Sequence, residues 1–248
     1  MRSMLLMLGL LAVARPGLAG AQAIDSVPAP GGHTATVIRW WHGAAVAGGL
    51  SALMLLDRPM QRFASHNSGT GADNVAGAVR HFGQPEIYGT VTLGLVGVGL
   101  VTHRPDIARS GGRLGASLLL AGATVQVGKV VMGRPRPEQS LDADGYVPFS
   151  GQVAMPSGHS AAAFALATSL SDDIHRPWAT VGLYGIATAV AWSRVNDNRH
   201  WLTDVTAGAL VGITSAKLAS GRWRIFHLRS PSIIVGPAGA GLGWSAAF

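Results

Sequence analysis

A chain of 248 residues that is 48% hydrophobic and 12% charged, about half the usual charged fraction, excludes disorder and suits a membrane protein or an all-round buried helical one. The net charge of +7 comes from basic residues scattered in short loops, which argues against nucleic acid and for anionic lipid headgroups or phosphorylated substrates. There are no cysteines, so disulfides, thiol catalysis and Cys-ligated zinc are excluded.

In chain order, the first expectation is an export signal over 1–23. Arg2 gives the positive start, Met4 to Ala14 an apolar core too short to cross a bilayer, and Ala21-Gln22-Ala23 a small-x-small cleavage pattern. A Pro/Gly-rich linker is expected over 24–36. Six apolar segments follow, at about 40–56, 87–102, 114–132, 159–171, 178–192 and 205–219. Their length, their Ala, Leu and Val content and their lack of period-two alternation predict helices. A seventh, weaker helix is predicted from Asp73 to Phe82, capped by Asp73 or Asn74.

The fold class read from this layout is all-α, a six-helix membrane-type bundle over 37–221. Small residues at four-residue spacing predict close helix approach at Gly208 and Gly212, and at Gly182 and Ile186 with Gly185 and Ala189 beside them. Trp178 and Trp192 bracket the fifth segment like a pair of interfacial anchors. Residues 222–248, which open with Arg222, Arg224 and Arg229, read as a short extended tail or hairpin.

Polar residues gather at three segment ends. In KVVMGRPRP, Lys129 rides the end of a helix that Gly133, Pro135 and Pro137 stop, leaving Arg134 and Arg136 in the exit loop. In MPSGHSAAAF, Ser157 is a good N-cap, and the helix start at Gly158 or His159 offers unpaired N–H groups to an anion. In SRVNDNRHWLTD, His200 and Asp204 are four apart on one helical face, so the carboxylate can fix the ring through Nδ1 and leave Nε2 free. Each cluster alone fits a blander role: a basic helix end, a cap with an incidental histidine, a loop salt-bridge network. Helices of an up-down bundle alternate direction, however, so all three clusters should meet at one rim. That rim is formed by the loops after helix three, before helix four and between helices five and six. Two or three cations, a helix N-terminus and two histidines together make a phosphate site.

At this point the chain resembles a known family. Lys129-x6-Arg136-Pro137, then Pro156-Ser157-Gly158-His159, then Ser193-Arg194-x5-His200-x3-Asp204 are similar to the three-part signature of the type 2 phosphatidic acid phosphatase (PAP2) and vanadium haloperoxidase superfamily. The resemblance implies a phosphohistidine route, with His200 as nucleophile, Asp204 behind it, and His159 as acid and then base. It assigns Lys129, Arg136 and Arg194 to the non-bridging oxygens, with Ser157 and the Gly158 N–H completing the cradle. Asp197 and Arg199 fall at variable positions of the signature and read as rim residues, while Arg134 is left as a residue that reaches toward a lipid phosphate. Fixed cations then do what Mg²⁺ does elsewhere, so no metal or other cofactor is expected.

The expected partner is a phosphorylated amphiphile at a membrane: a phosphatidic acid-like lipid, phosphatidylglycerol phosphate, a polyprenyl diphosphate or lipid A. Two other readings use the same residues, a vanadate-dependent haloperoxidase and a non-catalytic lipid-phosphate-binding membrane protein. The expected location is a bacterial-type cell envelope. A cleaved signal followed by six spans would put the rim in the cytoplasm. Lys217, Arg222, Arg224 and Arg229 at one end, with Arg104, Arg109 and Arg113, favour instead a rim facing the periplasm or exterior.

Overall fold

The computed structural model describes residues 35–140 and 142–225, and the backbone of 232–236 and 239–243. The expected signal peptide and the linker up to residue 34 lie outside the described residues. The chain enters through strand β1 (Thr36–Ile38) and helix α1 (Trp40–Met54). Two short helices follow, α2 (Asp57–Asn67) and α3 (Thr70–Val79), the second running into a 3-10 turn at Arg80–Gly83. Then come α4 (Pro85–Val101), α5 (Pro105–Met132), α6 (Gly158–Ile174), α7 (Pro177–Asn196) and α8 (Leu202–Ala219).

All six apolar segments are therefore helical, but the described residues hold eight α-helices rather than six. The weak helix predicted from Asp73 is α3, which starts earlier, after Gly69. Helix α2 escapes a search for apolar segments because its one buried side chain is a charged one, Asp57. Proline opens α4, α5 and α7, where its missing N–H would have had no intrahelical partner. Gly133 and His175, both left-handed, close α5 and α6.

Helix α6 is the centre, with α5, α7 and α8 packed around it. Its buried face is made of small residues: Ala161, Ala162, Ala163, Ala165 and Ala167, with Ser160, Thr168 and Ser169. Such small side chains let α8 approach to backbone contact. A Cβ on Gly208 would run into the Ser157 carbonyl oxygen, and one on Gly212 into that of Ala161. The predicted close face at Gly208 and Gly212 is thus where two helices meet. The face at Gly182 and Gly185 is not: nothing lies within 4 Å of a Cβ at either position, and both are exposed. Spacing alone marks a face able to pack, without saying that a partner exists.

Large apolar side chains remain outside. Leu93 and Val101 on α4, Leu119 and Val127 on α5, and Trp178 and Val181 on α7 are all exposed. Among the described residues, Pro105–Met132 is the one helix long and apolar enough to cross a membrane, with Pro85–Val101 a shorter apolar neighbour. At the far end, β2 (Trp223–Ile225) pairs in parallel with β1, so the two ends of the helical domain lie side by side. Strands β3 (Ser232–Gly236) and β4 (Gly239–Gly243) pair antiparallel.

Candidate active site

Three hydrogen bonds tie the three polar clusters into one rim. The Ser157 N–H at the start of α6 donates to the Asp204 carbonyl oxygen at the start of α8, at 2.9 Å. The Trp201 indole N–H donates to the Pro135 carbonyl oxygen in the loop after α5, at 3.0 Å. Within that same loop, Arg134 Nη1 donates to Asp204 Oδ1 at 2.7 Å.

His200 sits in the turn between α7 and α8, which Asn198 makes by adopting φ 57. Its N–H and that of Arg199 both return to the Arg194 carbonyl oxygen, at 3.2 and 3.0 Å, fixing the turn on the end of α7. The imidazole is 4% exposed. Its Nδ1 lies 3.6 Å from Asp204 Oδ2 and has no hydrogen-bond partner, so the pair stands at ion-pair rather than hydrogen-bond distance. Catalytic hydrogen bonds often tighten only with substrate in place. Asp204 itself is held from behind: Oδ1 by Arg134 and Oδ2 by the Trp201 N–H at 2.8 Å.

His159, in the first turn of α6, lies close enough to His200 for the two rings to act on each other. Burial pushes its pKa down to about 4, and Arg194, His200, Lys129 and Arg136 push in the same direction. Four groups from the two other sequence-distant clusters therefore lie within Coulombic reach of this ring. Burial also lowers the His200 pKa, with Asp204 opposing and Arg194 and Arg136 adding to the depression. For both rings the surroundings thus work against the protonated form.

His159 opens onto a cleft of about 470 Å³ whose other walls are Arg136, Arg194, Arg199, Asp197, Arg80 and Gln84. Arg136 and Arg194 each carry a buried Nε–H with no hydrogen-bond partner. Arg194 is steadied by Asp197 at 3.0 Å, and Arg199 by Glu138 at 2.7 Å. Asp197 and Arg199 are thus rim residues with their charges partly answered.

Other residues stand differently from expectation. Lys129, half-buried on the last turn of α5, acts on His159 and Arg136 but does not line the cleft. Ser157 occupies the N-cap position of α6, yet its hydroxyl makes no cap bond and accepts from Ser160 Oγ at 3.2 Å. It is fully buried and its N–H is committed to Asp204, so of that turn it is His159 that lines the cleft. Arg134, expected near a lipid phosphate, is fully buried among Asp57, Thr203 and Asp204. The Arg-Pro-Arg-Pro stretch turns this guanidinium inward and leaves that of Arg136 at the cleft.

Asp57, Thr203, Arg80 and Gln84 are site neighbours that the sequence reading does not anticipate. Arg80 and Gln84 reach the cleft because the 3-10 turn carries them over His159. Little in the sequence signals Asp57, which stands where the apolar run of α1 passes into the polar helix α2.

Residues 110–225 match the model of the PAP2 superfamily, a span that holds all three clusters. A lipid A 1-phosphatase of Porphyromonas gingivalis is 40% identical over 108 residues, which is 43% of this chain and 22% of that protein. The chain thus spans about a fifth of the length of that curated relative. Two solved structures share the fold. LpxE of Aquifex aeolicus superposes with a TM-score of 0.53 at 21% identity, over 66% of this chain and 94% of that one. The transmembrane PAP2-type phosphatidylglycerolphosphate phosphatase of Bacillus subtilis superposes with a TM-score of 0.58 at 20% identity, over 73% and 92%.

Proposed function

We propose that this chain, which belongs to the PAP2 superfamily, is a metal-independent phosphatase that hydrolyses the phosphate ester or diphosphate of a membrane lipid through a phosphohistidine intermediate. The observation that carries the reading is two imidazoles within Coulombic reach of each other and of Arg136 and Arg194, one of them backed by a buried carboxylate. In the first step His200 Nε2 attacks phosphorus as the bond to the leaving oxygen breaks, and His159 gives that oxygen its proton. Asp204 stabilises the cationic ring that forms. In the second step His159 takes a proton from water, whose oxygen displaces His200 and releases inorganic phosphate.

Arg136 and Arg194 meet the non-bridging oxygens with paired N–H donors, and the α6 N-terminus adds its dipole. Lys129 contributes charge from behind. A pKa near 4 leaves His159 without the proton that this route requires of it in the free protein. A bound phosphate dianion supplies the opposite field, so the substrate itself raises the acid's pKa.

A lipid substrate is supported by the exposed apolar faces of α4, α5 and α7 beside the cationic rim. Among the candidate headgroups, a lipid A-like sugar phosphate is favoured by the 40% identity to a protein of that named activity. Arg104 and Arg109 cluster at the opposite end of α5 from Lys129, which favours a rim on the outer side of the membrane. The test is phosphate release from micellar lipid A, phosphatidic acid, phosphatidylglycerol phosphate and polyprenyl diphosphate in excess EDTA. Release from at least one is expected; release from none, or loss to EDTA that Mg²⁺ restores, contradicts the proposal. A run with vanadate, peroxide and bromide is expected to yield no oxidised halide.

A further inference from the structure

Asp57 opens α2, Arg134 lies in the loop after α5, and Asp204 lies in the first turn of α8; all three are fully buried. The guanidinium is shared between the two carboxylates: Nη2 donates to Asp57 Oδ2 at 2.6 Å and Nη1 to Asp204 Oδ1 at 2.7 Å. Its remaining donors go to the Ala143 carbonyl oxygen and to Thr203 Oγ1. Asp57 accepts on both oxygens from groups that hold it firmly, since Thr203 also gives it a backbone N–H at 2.8 Å and its hydroxyl proton, three bonds in all. Asp204 accepts only two, from Arg134 and the Trp201 N–H, and its Oδ2 otherwise faces His200 Nδ1.

Two carboxylates and one guanidinium leave one surplus negative charge, and its unsatisfied face points at His200. Buried ion triads are poor stabilisers, and apolar side chains of similar volume often do as well. Packing alone therefore gives this triad no reason to be charged. Its position behind the ring does. If Arg134 answered Asp204 alone, the pair would be neutral and would offer little to a cationic imidazole. Asp57 draws off part of the guanidinium's charge and leaves Asp204 free to serve the ring.

We propose that Asp57 and Arg134 are positioning residues that set the charge Asp204 presents to His200. This rests on the reading of His200 as the nucleophile. Asp57 lies outside the stretch matched to the superfamily, so the device links the N-terminal helices to the catalytic turn. The other charged or titratable groups acting on His200 are Arg194 from α7, Arg136 from the loop after α5 and His159 from α6.

The experiment uses the full chain in detergent micelles, with Asp57→Asn, Arg134→Gln and the double variant. The readouts are the His200 ring titration by NMR, assigned with His200→Ala, and kcat and KM on a micellar lipid phosphate. Charge counting predicts opposite moves. Asp57→Asn lowers the pH at which His200 titrates, Arg134→Gln raises it, and the double variant returns it toward wild type. Asp57→Asn also lowers kcat by about 10- to 100-fold, on the scale of second-layer partners of metal-bound histidines, with little change in KM. The double variant recovers part of that loss although it removes more hydrogen bonds. Titrations that move the same way in both single variants, or a double variant no better than Asp57→Asn, overturn the proposal. Should one single variant not fold, the other and the double variant still give the sign. A wild type that releases no phosphate would end the phosphatase reading, while the titrations would still decide the charge assignment.

Discussion

Gly83 lies against His159: a Cβ on the glycine would stand 3.3 Å from the ring's Cδ2 and 2.7 Å from Val190 Cγ1. The 3-10 turn thus packs closely against the ring proposed as the acid, from a part of the chain far from α6 in sequence. Gly83→Ala is expected to keep the fold, because Val190 is a side-chain obstacle on a helix, and to lower kcat by about tenfold through displacement of His159. Turnover and a thermal melt of the same sample check this. A melt that falls while kcat holds would mean the contact is only packing.

The α6–α8 contact carries a stability prediction. Gly208→Ala drives a methyl group into the Ser157 carbonyl oxygen, so a helix must shift, at a cost of about 1–3 kcal/mol. Gly182→Ala, on a helix position facing open space, should stabilise by up to about 1 kcal/mol through helix propensity. Chemical denaturation in one detergent compares the two. The reverse order of stability would show that α8 does not sit on α6 as described.

Stability should fall in acid for a specific reason. His159 is held at about 4 in the folded protein, whereas an imidazole in the unfolded chain titrates at about 6.5. Between those values the unfolded chain binds more protons, so stability rises with pH across that window and is lost as pH falls through it. The lowered His200 pKa adds in the same sense. Inorganic phosphate at saturation should flatten this slope, because the anion lets His159 keep its proton in the fold. Melting temperature against pH, with and without phosphate, reads both effects; a slope unaltered by phosphate would separate the anion from His159.

In the proposed route Arg136 and Arg194 act through geometry as well as charge. Arg194→Lys keeps the cation but loses the planar pair of donors and the partner role toward Asp197. We expect kcat/KM to drop by at least about tenfold, with most of the loss in kcat if the bidentate contact tightens in the transition state. Steady-state kinetics on a single lipid phosphate would show it.

The signature residues are legible in the sequence because their chemistry is local: a lysine before a Pro/Gly stop, a Ser-Gly helix start, a histidine four residues before an aspartate. Their meeting follows from alternating helix direction, which the bond from Ser157 to Asp204 makes concrete. The rest is set by partners that spacing does not reveal. Arg134 and Arg136 look alike in sequence, yet only the fold shows that Asp57 and Asp204 draw the first one inward. Ser157 has the right residue type for a cap, but its N–H is taken by another helix and its hydroxyl by Ser160. Gly182 and Gly208 carry the same pattern, and only Gly208 has a helix opposite it. Asp57 is silent in the sequence because α2 is polar and its role comes from contacts with residues more than seventy positions away.

The most direct test is rapid quenching of the full chain with a radiolabelled lipid phosphate in excess EDTA. The account predicts a transient, acid-labile and base-stable label on His200, absent in His200→Ala and formed slowly in His159→Ala. Phosphate release by His200→Ala at the wild-type rate, or label on another residue, would contradict it.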